Sequence, residues 1–378
     1  MAGLGLYIHI PYCRSKCGYC SFNSWPWSGE GPADYLDAVV AEMAMLSEGW
    51  GVGRVFSSLF IGGGTPTVYG GPALSRLLAA CRQHFCWIDQ PEITIETNPN
   101  TVSAANLASY RAAGANRLSI GVQVFDDRLL AGIGRSHSTA QAIQSVTLAR
   151  QAGFTNLNLD LIYGLPTQGL DDWQHSLNAA LDLSPDHLAL YELSIEPGTL
   201  FAERQAQGKL PLPDDDTVAE MAALGHALLA KQGYLRYEIS NYALPGAQCL
   251  HNLNYWQNGS YVGLGAGAVS SFDGLRLKNI DPPTGYMARI KAGLVAFQEG
   301  EALSLDASFR ESIIMGLRLV AGVSLAALQQ RYGLEPLTYY GKTLEKLRAH
   351  GLIELDEEHM CLTAKALPIA NQVLTELV

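Results

Sequence analysis

The sequence predicts an α/β fold, in which a partial barrel of six strand–helix units is followed by added strands and an α-rich, winged-helix-like C-terminal domain. Three observations predict it. Strand-like and helix-like segments alternate through the first 235 residues. The strand-like segments are mostly apolar, as strands are in a parallel sheet that helices cover. Six units, where a closed barrel has eight, predict a barrel that is open on one side.

The predicted elements follow one another with short connections. The strands are residues 4–10, 55–61, 92–97, 117–123, 156–163 and 187–194. The helices are residues 35–48, 72–85, 104–113, 139–151, 170–183 and 216–231. Several strands end in polar or glycine-rich sequence, such as GGGTP at 62–66 and ETNP at 96–99. Because the working residues of βα barrels lie at the C-terminal ends of strands, we expect a site at that edge of the sheet.

The remaining chain is predicted to form two further units. Residues 236–300 extend the sheet, close its open side, carry HNLNYW at 251–256 and enter a linker near Asp281. Residues 301–378 form the winged-helix-like domain, with helices at 308–320, 324–332 and 337–350 and then a hairpin. Such modules often bind DNA, but acidic residues outnumber basic ones here and the chain has a formal net charge of −11. Phosphate binding needs clustered Lys and Arg, so no nucleic-acid partner is expected and docking onto protein is favoured.

Three cysteines are the strongest chemical signal in the chain. Cys13, Cys17 and Cys20 lie within eight residues, directly after the first predicted strand. Three thiolates on one loop can bind three irons of a [4Fe–4S] cluster and leave the fourth iron open to an outside ligand. A zinc site would need a fourth ligand, for which His9 is the nearest candidate, and a disulfide would leave an odd thiol. The other cysteines are predicted to be free thiols without a metal: Cys81, Cys86, Cys249 and Cys361.

The spacing CxxxCxxC resembles the cluster loop of the radical S-adenosyl-L-methionine (SAM) proteins, in which the amino and carboxylate groups of SAM bind the open iron. The ends of the later strands offer groups that suit this ligand. Glycines at 62–64 let the backbone approach it closely. Carboxylate, amide and guanidinium side chains at the following strand ends can bond its amino group, ribose and carboxylate.

A closer resemblance covers most of the chain. The runs that carry it are YIHIPYC at 7–13, GGGTP at 62–66, NRLSIGVQ at 116–123, GRSH at 134–137, NLDLIYGLP at 158–166, LSIEPGT at 193–199 and HNLNYW at 251–256. They resemble the oxygen-independent coproporphyrinogen III oxidase family of radical-SAM proteins and, within it, the branch of heme chaperones. The resemblance implies Cys13, Cys17 and Cys20 as cluster ligands. It implies SAM contacts from Tyr7, Gly63, Gly64, Thr65, Glu96, Gln123, Arg135 and Asp160.

Two departures from the oxidase pattern favour the chaperone branch. The oxidases have a fourth cysteine where this chain has Phe22, and an N-terminal extension where only six residues precede Tyr7. One difference argues against the chaperone branch, because many of the chaperones have His where this chain has Val269. The resemblance implies binding of heme and its delivery to hemoproteins, without coproporphyrinogen III oxidase activity. Two alternatives stay open. One is the oxidase activity itself, the oxidative decarboxylation of coproporphyrinogen III without oxygen, and the other is radical-SAM chemistry on an unrelated substrate.

The resemblance associates HNLNYW with heme. An imidazole can ligate heme iron and aromatic rings can face a macrocycle, so His251 is a candidate ligand; a structural histidine packed by aromatic rings is the alternative. Cys249 is a second candidate ligand, and Arg236, Arg276 and Lys278 are the nearest cations for the propionates. No apolar run is long enough to span a membrane and the thiols fit a reducing compartment, so the cytoplasm is expected. Peripheral membrane contact and a homodimer stay open.

Overall fold

The computed structural model describes residues 3–27, 29 and 31–378. Its strands are β1 (Leu4–Ile10), β2 (Tyr12–Cys13), β3 (Trp25–Pro26), β4 (Val55–Gly63), β5 (Cys86–Thr97), β6 (Arg117–Gln123), β7 (Asn156–Tyr163), β8 (His187–Glu192), β9 (Leu235–Arg236), β10 (Asn241–Ala243), β11 (Tyr261–Leu264), β12 (Val269–Phe272), β13 (Leu275–Asn279), β14 (Phe297–Ala302), β15 (Val323–Ser324), β16 (Ile353–Leu355) and β17 (His359–Leu362).

Helices lie between and after these strands. They are α1 (Ala33–Glu48), α2 (Gly71–His84), α3 (Ala104–Ala112), α4 (Asp127–Gly132), α5 (Thr139–Gln151), α6 (Leu170–Asp182), α7 (Leu200–Ala206), α8 (Asp215–Lys231), α9 (Leu250–Trp256), α10 (Pro283–Lys291), α11 (Leu305–Gly316), α12 (Leu325–Tyr332), α13 (Pro336–Tyr340), α14 (Lys342–Ala349) and α15 (Ala370–Thr375). None of the helices in the described part of the chain is long and apolar enough to cross a bilayer.

The fold class predicted from the sequence is confirmed. All six barrel strands and all six barrel helices are present; the one large difference is that β5 begins at Cys86 instead of residue 92. The strands join one large sheet in the order β14-β13-β12-β11-β1-β4-β5-β6-β7-β8-β10-β9. Its centre, from β11 to β8, is parallel. Since parallel neighbours need crossover connections, which α1, α2, α3, α5 and α6 supply, the carboxyl ends of these strands meet at one edge.

The two faces of the sheet differ in polarity because successive side chains of a strand point to opposite faces. On β4, Leu59 and Ile61 are fully buried in the main apolar core under the helices. Ser58 faces the other way and bonds a histidine of α9. On β5 the same alternation buries Thr94 completely on the inner face. The sheet therefore surrounds a polar interior, whose buried groups each need a partner.

The predicted closure of the barrel by residues 236–300 is wrong. β9 and β10 extend the sheet beside β8, while β11 pairs in parallel with β1 and β12, β13 and β14 continue beyond it. Within the described residues, no strand pairing joins β14 to β9. Instead α9, a helix that was not predicted, packs on β1 and β4.

The segment near Asp281 is not a linker. It leads into α10, where Tyr286 and Ile290 are buried in the main apolar core together with Ala296. The Tyr286 hydroxyl donates to Glu42 of α1 at 2.7 Å, and β14 then pairs with β13. This stretch is part of the barrel's own packing.

The C-terminal residues form a second apolar core, around Phe309, Ile313, Leu344 and Met360. Four helices, α11 to α14, pack with a small sheet of order β15-β17-β16. The helix predicted at 337–350 is two helices, because Gly341 has φ 49° and ψ −120° and ends the first one. The predicted boundary at residue 301 stays a prediction.

Candidate functional site

The three cysteines lie at the carboxyl edge of the sheet, on β2 and the loop that follows it. All three thiols are half-buried and form no disulfide. The middle of the loop is clamped, because the amide of Gly18 donates to Ile133 O at 3.0 Å and its carbonyl accepts from Phe201 N at 2.9 Å. A Cβ at Gly18 would lie 2.7 Å from the Phe201 ring. Packing against α4 and α7 therefore fixes the path of the loop between the second and third cysteines.

The thiols have a donor set that fits iron and sulfide. Thr65 Oγ1 lies 3.5 Å from Cys13 Sγ, and Arg135 Nη1 lies 3.7 Å from Cys17 Sγ. Burial raises the pKa of the Cys13 thiol, so a bound metal would have to displace its proton. Among the described residues, no three His, Cys, Asp or Glu side chains are grouped to hold one metal ion. Ligands of a cluster bind separate irons, so convergence on one point is not required of them.

The glycine-rich turn after β4 is bonded to the start of the cysteine loop. Gly64 N donates to the last carbonyl of β1 at 2.7 Å, and Thr65 N donates to Tyr12 O at 2.8 Å. Gly63 has φ 110°, and a Cβ at Gly64 would lie 2.7 Å from Tyr12 O and 3.0 Å from Cys13 Sγ. Only glycine fits there, which leaves the backbone of the turn directly beside the thiols.

Two carboxyl groups stand on the inner face near this turn. Glu96 accepts from Gly63 N at 3.0 Å. Asp160 accepts from Ser119 Oγ at 3.0 Å and Asn158 Nδ2 at 2.8 Å. Burial raises the pKa of Glu96 to about 8, and the negative charge of Asp160 adds to the rise. A cationic ligand placed between these groups would favour their ionised forms.

Gln123 ends β6, between the strands that carry Glu96 and Asp160, and Arg135 lies beside it. Gln123 has φ 72° and follows a register shift after Gly121, the kind of bulge that re-aims a side chain next to a binding site. A Cβ at Gly121 would meet Gln123 Nε2 at 2.9 Å and Arg135 Nη2 at 3.0 Å, so the two side chains converge. Arg135 donates to Gly121 O, while its Nε is buried and has no hydrogen-bond partner among the described residues. The unused donor fits a carboxylate ligand.

Tyr7 connects β1 to the end of the cysteine loop. Its hydroxyl lies 2.9 Å from His9 Nδ1, and His9 Nε2 lies 2.8 Å from Asn23 O. Since a carbonyl only accepts, Nε2 carries the proton and Nδ1 accepts from the Tyr7 hydroxyl. The structure thus places all residues predicted for the cluster and SAM on the inner face of the sheet or at its carboxyl edge, and their roles stay predictions.

His251 is buried, which agrees with the alternative of a structural histidine packed by aromatic rings. It is 1% exposed and sits inside the barrel, with Nδ1 2.9 Å from Ser58 Oγ and Nε2 3.0 Å from the Tyr255 hydroxyl. Its ring stacks on Phe60 at 5.4 Å. Burial lowers the pKa of His251 to about 3, with a further contribution from the charge of Arg117. Both ring nitrogens are engaged, so a heme iron could reach one only if α9 moved.

Glu92 holds α9 in place, and sequence reasoning missed it. Its carboxylate accepts from the amides of Leu250 and His251, each at 3.0 Å, and from Cys249 Sγ at 3.4 Å. Burial raises the pKa of Cys249 to about 12, which keeps a thiol there protonated. The sequence contained a signal for it, because Glu92 lies four positions before Glu96 and residues an even number apart in a strand share one face. A second carboxylate could therefore have been predicted on the inner face.

The other end of α9 contacts the C-terminal core. The guanidinium of Arg318 lies 5.4 Å from the Trp256 ring. Asn258, just after the helix, donates to Ser312 Oγ and accepts from Arg331 Nη1, both at 2.9 Å. The HNLNYW helix therefore lies between the barrel interior and the C-terminal domain.

The cations predicted for heme propionates already have partners. Arg276 pairs with Glu311 of α11, and Lys278 pairs with Asp281 at 2.9 Å. Arg236 donates to the carbonyl of Ile239. Binding of propionates at any of the three would break an existing contact.

Known protein families match this chain in two places. The Radical SAM superfamily matches residues 7–180, which include the cysteine loop and five of the six barrel strands. The HemN C-terminal domain matches residues 303–369, which lie in and around the second apolar core.

Relatives of the whole chain carry a functional name. The heme chaperone HemW of Escherichia coli (strain K12) is 44% identical over 290 residues, 75% of each chain. The heme chaperone HemW of Bacillus subtilis (strain 168) is 36% identical over 368 residues, 97% of each chain. Among solved structures, the coproporphyrinogen III oxidase HemN of Escherichia coli, a radical SAM enzyme, superposes with a TM-score of 0.87 at 28% identity, covering 100% of this chain and 90% of that one.

The buried state of His251 makes its contribution to stability depend on pH. The folded pKa is about 3, whereas an unfolded histidine has a pKa of about 6.5. The unfolded chain therefore binds a proton at this ring below about pH 6.5, while the folded chain keeps it neutral. The contribution of His251 to the free energy of unfolding is full above about pH 6.5 and is lost as the pH falls toward 3. We expect the difference in unfolding free energy between wild type and His251→Gln to shrink by about 1.4 kcal/mol from about pH 7.5 to 5.5, measured by denaturant titration. The exposed His175→Gln serves as the control; a constant difference for His251→Gln would contradict the buried neutral ring.

Proposed function

Because the chain belongs to the HemW family of radical-SAM heme chaperones, we propose that it binds a [4Fe–4S] cluster, SAM and heme and delivers heme to hemoproteins. The observation that carries the proposal is the convergence at one sheet edge of three free thiols and a glycine turn that admits no side chain. Similarity to two HemW proteins, over 75% of each chain for one and 97% of each chain for the other, supports the chaperone interpretation of that site.

The residues of the site have three roles in this proposal: they bind the cluster, the amino group of SAM or the carboxylate of SAM. Cys13, Cys17 and Cys20 hold the cluster, which when bound supplies an open iron for SAM and can pass an electron to it. The backbone of the glycine turn and Glu96 receive the SAM amino group, since a carbonyl and a carboxylate both accept hydrogen bonds. The guanidinium of Arg135 has a spare donor for the SAM carboxylate.

The ribose has its own partners in this proposal. Gln123 and Asp160 flank the site from β6 and β7 and can bond ribose hydroxyls. The Tyr7 hydroxyl, held by His9, closes the site on the side of β1. Together with Gly63 of β4 and Glu96 of β5, these groups come from five different strands of one sheet, so the geometry is fixed before a ligand arrives.

We keep the predicted boundaries, without the predicted closure and linker: residues 1–235 hold the cluster and SAM, residues 236–300 extend the sheet and carry HNLNYW, and residues 301–378 form the docking domain. The excess of acidic residues in the last part supports protein as its partner instead of nucleic acid. Seven free cysteines support a reducing compartment, the cytoplasm.

Oxygen-independent coproporphyrinogen III oxidation is the second candidate. The observation in its favour is the TM-score of 0.87 with the oxidase HemN over the whole of this chain. Against it stands Phe22, an apolar and exposed ring where the oxidases have a cysteine. A barrel that binds SAM without holding the porphyrinogen lacks the positioning that can contribute about 7–11 kcal/mol to a reaction.

The cluster prediction is tested by iron content. Anaerobic reconstitution should give about four irons per chain in wild type and none in the Cys13→Ala, Cys17→Ala, Cys20→Ala triple variant, because an open cluster needs all three thiolates. Cys86→Ala removes an exposed thiol outside the loop and should leave the iron content unchanged. Equal iron and equal spectra in the triple variant would contradict the assignment.

The SAM prediction is tested by binding. Loss of a hydrogen bond to a charged group costs roughly 1.5–3 kcal/mol, so Glu96→Ala or Arg135→Ala should weaken SAM binding about 10- to 150-fold. Glu203→Ala and Arg204→Ala, on exposed positions of α7, are the matched controls. If the chain without a cluster binds SAM as tightly as the reconstituted chain, SAM does not use an open iron.

Function is tested by transfer of heme and by turnover. We expect the reconstituted chain to bind heme, shown by a Soret titration, and to pass it to an apo-hemoprotein faster than free heme crosses a dialysis membrane between them. Under anaerobic reduction with excess SAM, we expect no protoporphyrinogen from coproporphyrinogen III. Multiple turnovers in that assay would favour the oxidase, and failure to bind heme would reject the chaperone.

A further inference from the structure

We propose that Asn158, His187 and Tyr237 are positioning residues of the SAM site, which act through Asp160 on the ribose of SAM. Their side chains form one hydrogen-bonded chain inside the barrel, and this chain ends on the carboxylate of Asp160. The inference rests on the proposed function, in which Asp160 bonds the ribose hydroxyls.

The register of three neighbouring strands brings the chain together. Ser119 of β6 lies opposite Asn158 of β7, and Asn158 lies opposite His187 of β8. The three residues are only 5%, 3% and 1% exposed, in that order. Because residues two apart in a strand share one face, Asp160 lies on the same inner face, one step nearer the carboxyl edge. A layer of buried polar side chains therefore supports Asp160 from below.

Two groups hold the carboxylate of Asp160 directly. Asn158 Nδ2 donates to Oδ1 at 2.8 Å, and Ser119 Oγ donates to Oδ2 at 3.0 Å. Asn158 Nδ2 also donates to Ser119 Oγ at 2.8 Å, which joins the two donors. One bond on each oxygen fixes the plane of the carboxylate. Since a carboxylate has about four acceptor sites, the two neighbouring hydroxyls of a ribose can be accepted as well.

The direction of each hydrogen bond follows from its acceptor. An ionised carboxylate only accepts, so the amide nitrogen of Asn158 faces Asp160 and its Oδ1 faces His187, 2.6 Å from Nδ1. Nδ1 therefore carries the proton of the imidazole. Burial, together with the charge of Arg117, lowers the pKa of His187 well below its usual value and keeps the ring neutral. Nε2 then accepts from the Tyr237 hydroxyl at 2.9 Å.

The outer end of the chain lies on α9. Asn252 Nδ2 donates to the hydroxyl oxygen of Tyr237 at 3.3 Å, and the Tyr237 ring packs edge-on against His187 at 5.6 Å. Every bond of the chain thus points its proton toward Asp160, and hydrogen bonds aligned in this way strengthen one another. The helix that carries HNLNYW is thereby connected to the ribose side of the SAM site.

The chain also favours the ionised form of Asp160. Burial raises the pKa of this carboxyl group, and the hydrogen bonds from Asn158 and Ser119 oppose that rise. An ionised carboxylate accepts from both ribose hydroxyls, and hydrogen bonds to a charged acceptor are stronger than bonds between neutral groups. Loss of a member of the chain should therefore change SAM affinity through Asp160, without a contact of its own to SAM.

The experiment measures SAM binding to the full chain, reconstituted anaerobically, by equilibrium dialysis. Asn158→Ala should weaken binding about ten-fold, because it removes a donor to Asp160 and leaves the His187 proton without its acceptor. His187→Phe removes both ring nitrogens and should weaken binding about five-fold. His187→Asn should recover most of that loss, since its amide nitrogen takes the place of Nδ1. Tyr237→Phe should weaken binding about three-fold.

A double-mutant cycle separates positioning from a general structural role. Asp160→Ala alone should weaken SAM binding about ten-fold or more, because it removes a charged acceptor. If Asn158 acts through Asp160, adding Asn158→Ala to Asp160→Ala should change the affinity by less than about two-fold. A SAM analogue without the two ribose hydroxyls should bind equally to wild type and to Asn158→Ala.

Two matched controls change the same residue types elsewhere. Tyr234→Phe removes another buried hydroxyl, which donates to a main-chain carbonyl in the main apolar core, and is the control for Tyr237→Phe. His175→Asn, at an exposed position of α6, is the control for His187→Asn. Both controls should leave SAM binding unchanged.

Iron content and thermal unfolding report whether each variant keeps its cluster and its fold. If Asn158→Ala or His187→Phe does not fold, Tyr237→Phe and Ser119→Ala decide the test, each made in wild type and in the Asp160→Ala background. Ser119→Ala removes the second donor to Asp160 and should weaken SAM binding about three-fold in wild type only.

The possible outcomes are distinct. Wild-type SAM affinity in Asn158→Ala, His187→Phe and Tyr237→Phe overturns the positioning role while the proposed function stands. Losses of the same size with and without Asp160, or for the analogue as for SAM, also overturn it, because the chain would then support the fold in general. A wild-type chain that binds no SAM overturns the positioning role and the proposed function together.

Discussion

The pairing of β1 with β4 is the constraint on which the site depends. The two strands run in parallel from Leu4 opposite Phe56 to Ile10 opposite Gly63, and each continues into a functional segment. The cysteine loop follows one and the glycine turn follows the other, so the register of the strands sets how the thiols face the turn. Two main-chain hydrogen bonds, donated by Gly64 and Thr65, carry that register past the end of the sheet.

The second constraint is that polar groups buried inside the barrel need hydrogen-bond partners, and α9 supplies several of these partners. Glu92 caps the start of the helix, and His251 joins Ser58 to Tyr255, so these buried groups of the helix and the barrel are partners of one another. The buried Arg117 lies on the same inner face and its positive charge acts on these groups. Because the far end of α9 contacts the C-terminal core, the barrel interior and that domain share one element.

Much of the site could be predicted because its residues come from local patterns. The spacing of Cys13, Cys17 and Cys20 and the apolar strands before each polar strand end are visible in short stretches of sequence. The helix at 250–256 was missed because it is only seven residues long and its first amides are bonded by Glu92, more than 150 residues earlier in the chain. The open order of the sheet was missed for the same reason, because pairing between distant strands leaves no local pattern.

The sequence by itself determined the fold class, the identity of the cluster-loop and strand-end residues, and the family. Alternating polarity and fixed motif spacing encode these features along the chain, and a parallel sheet brings strand ends together whatever the details. Only the tertiary structure decided where HNLNYW lies and which of the described side chains already have partners. Burial gives His251 two partners and a neutral ring, while Arg276 and Lys278 are already paired with carboxylates. Burial and pairing are properties of packed neighbours, and those neighbours are far apart in the sequence.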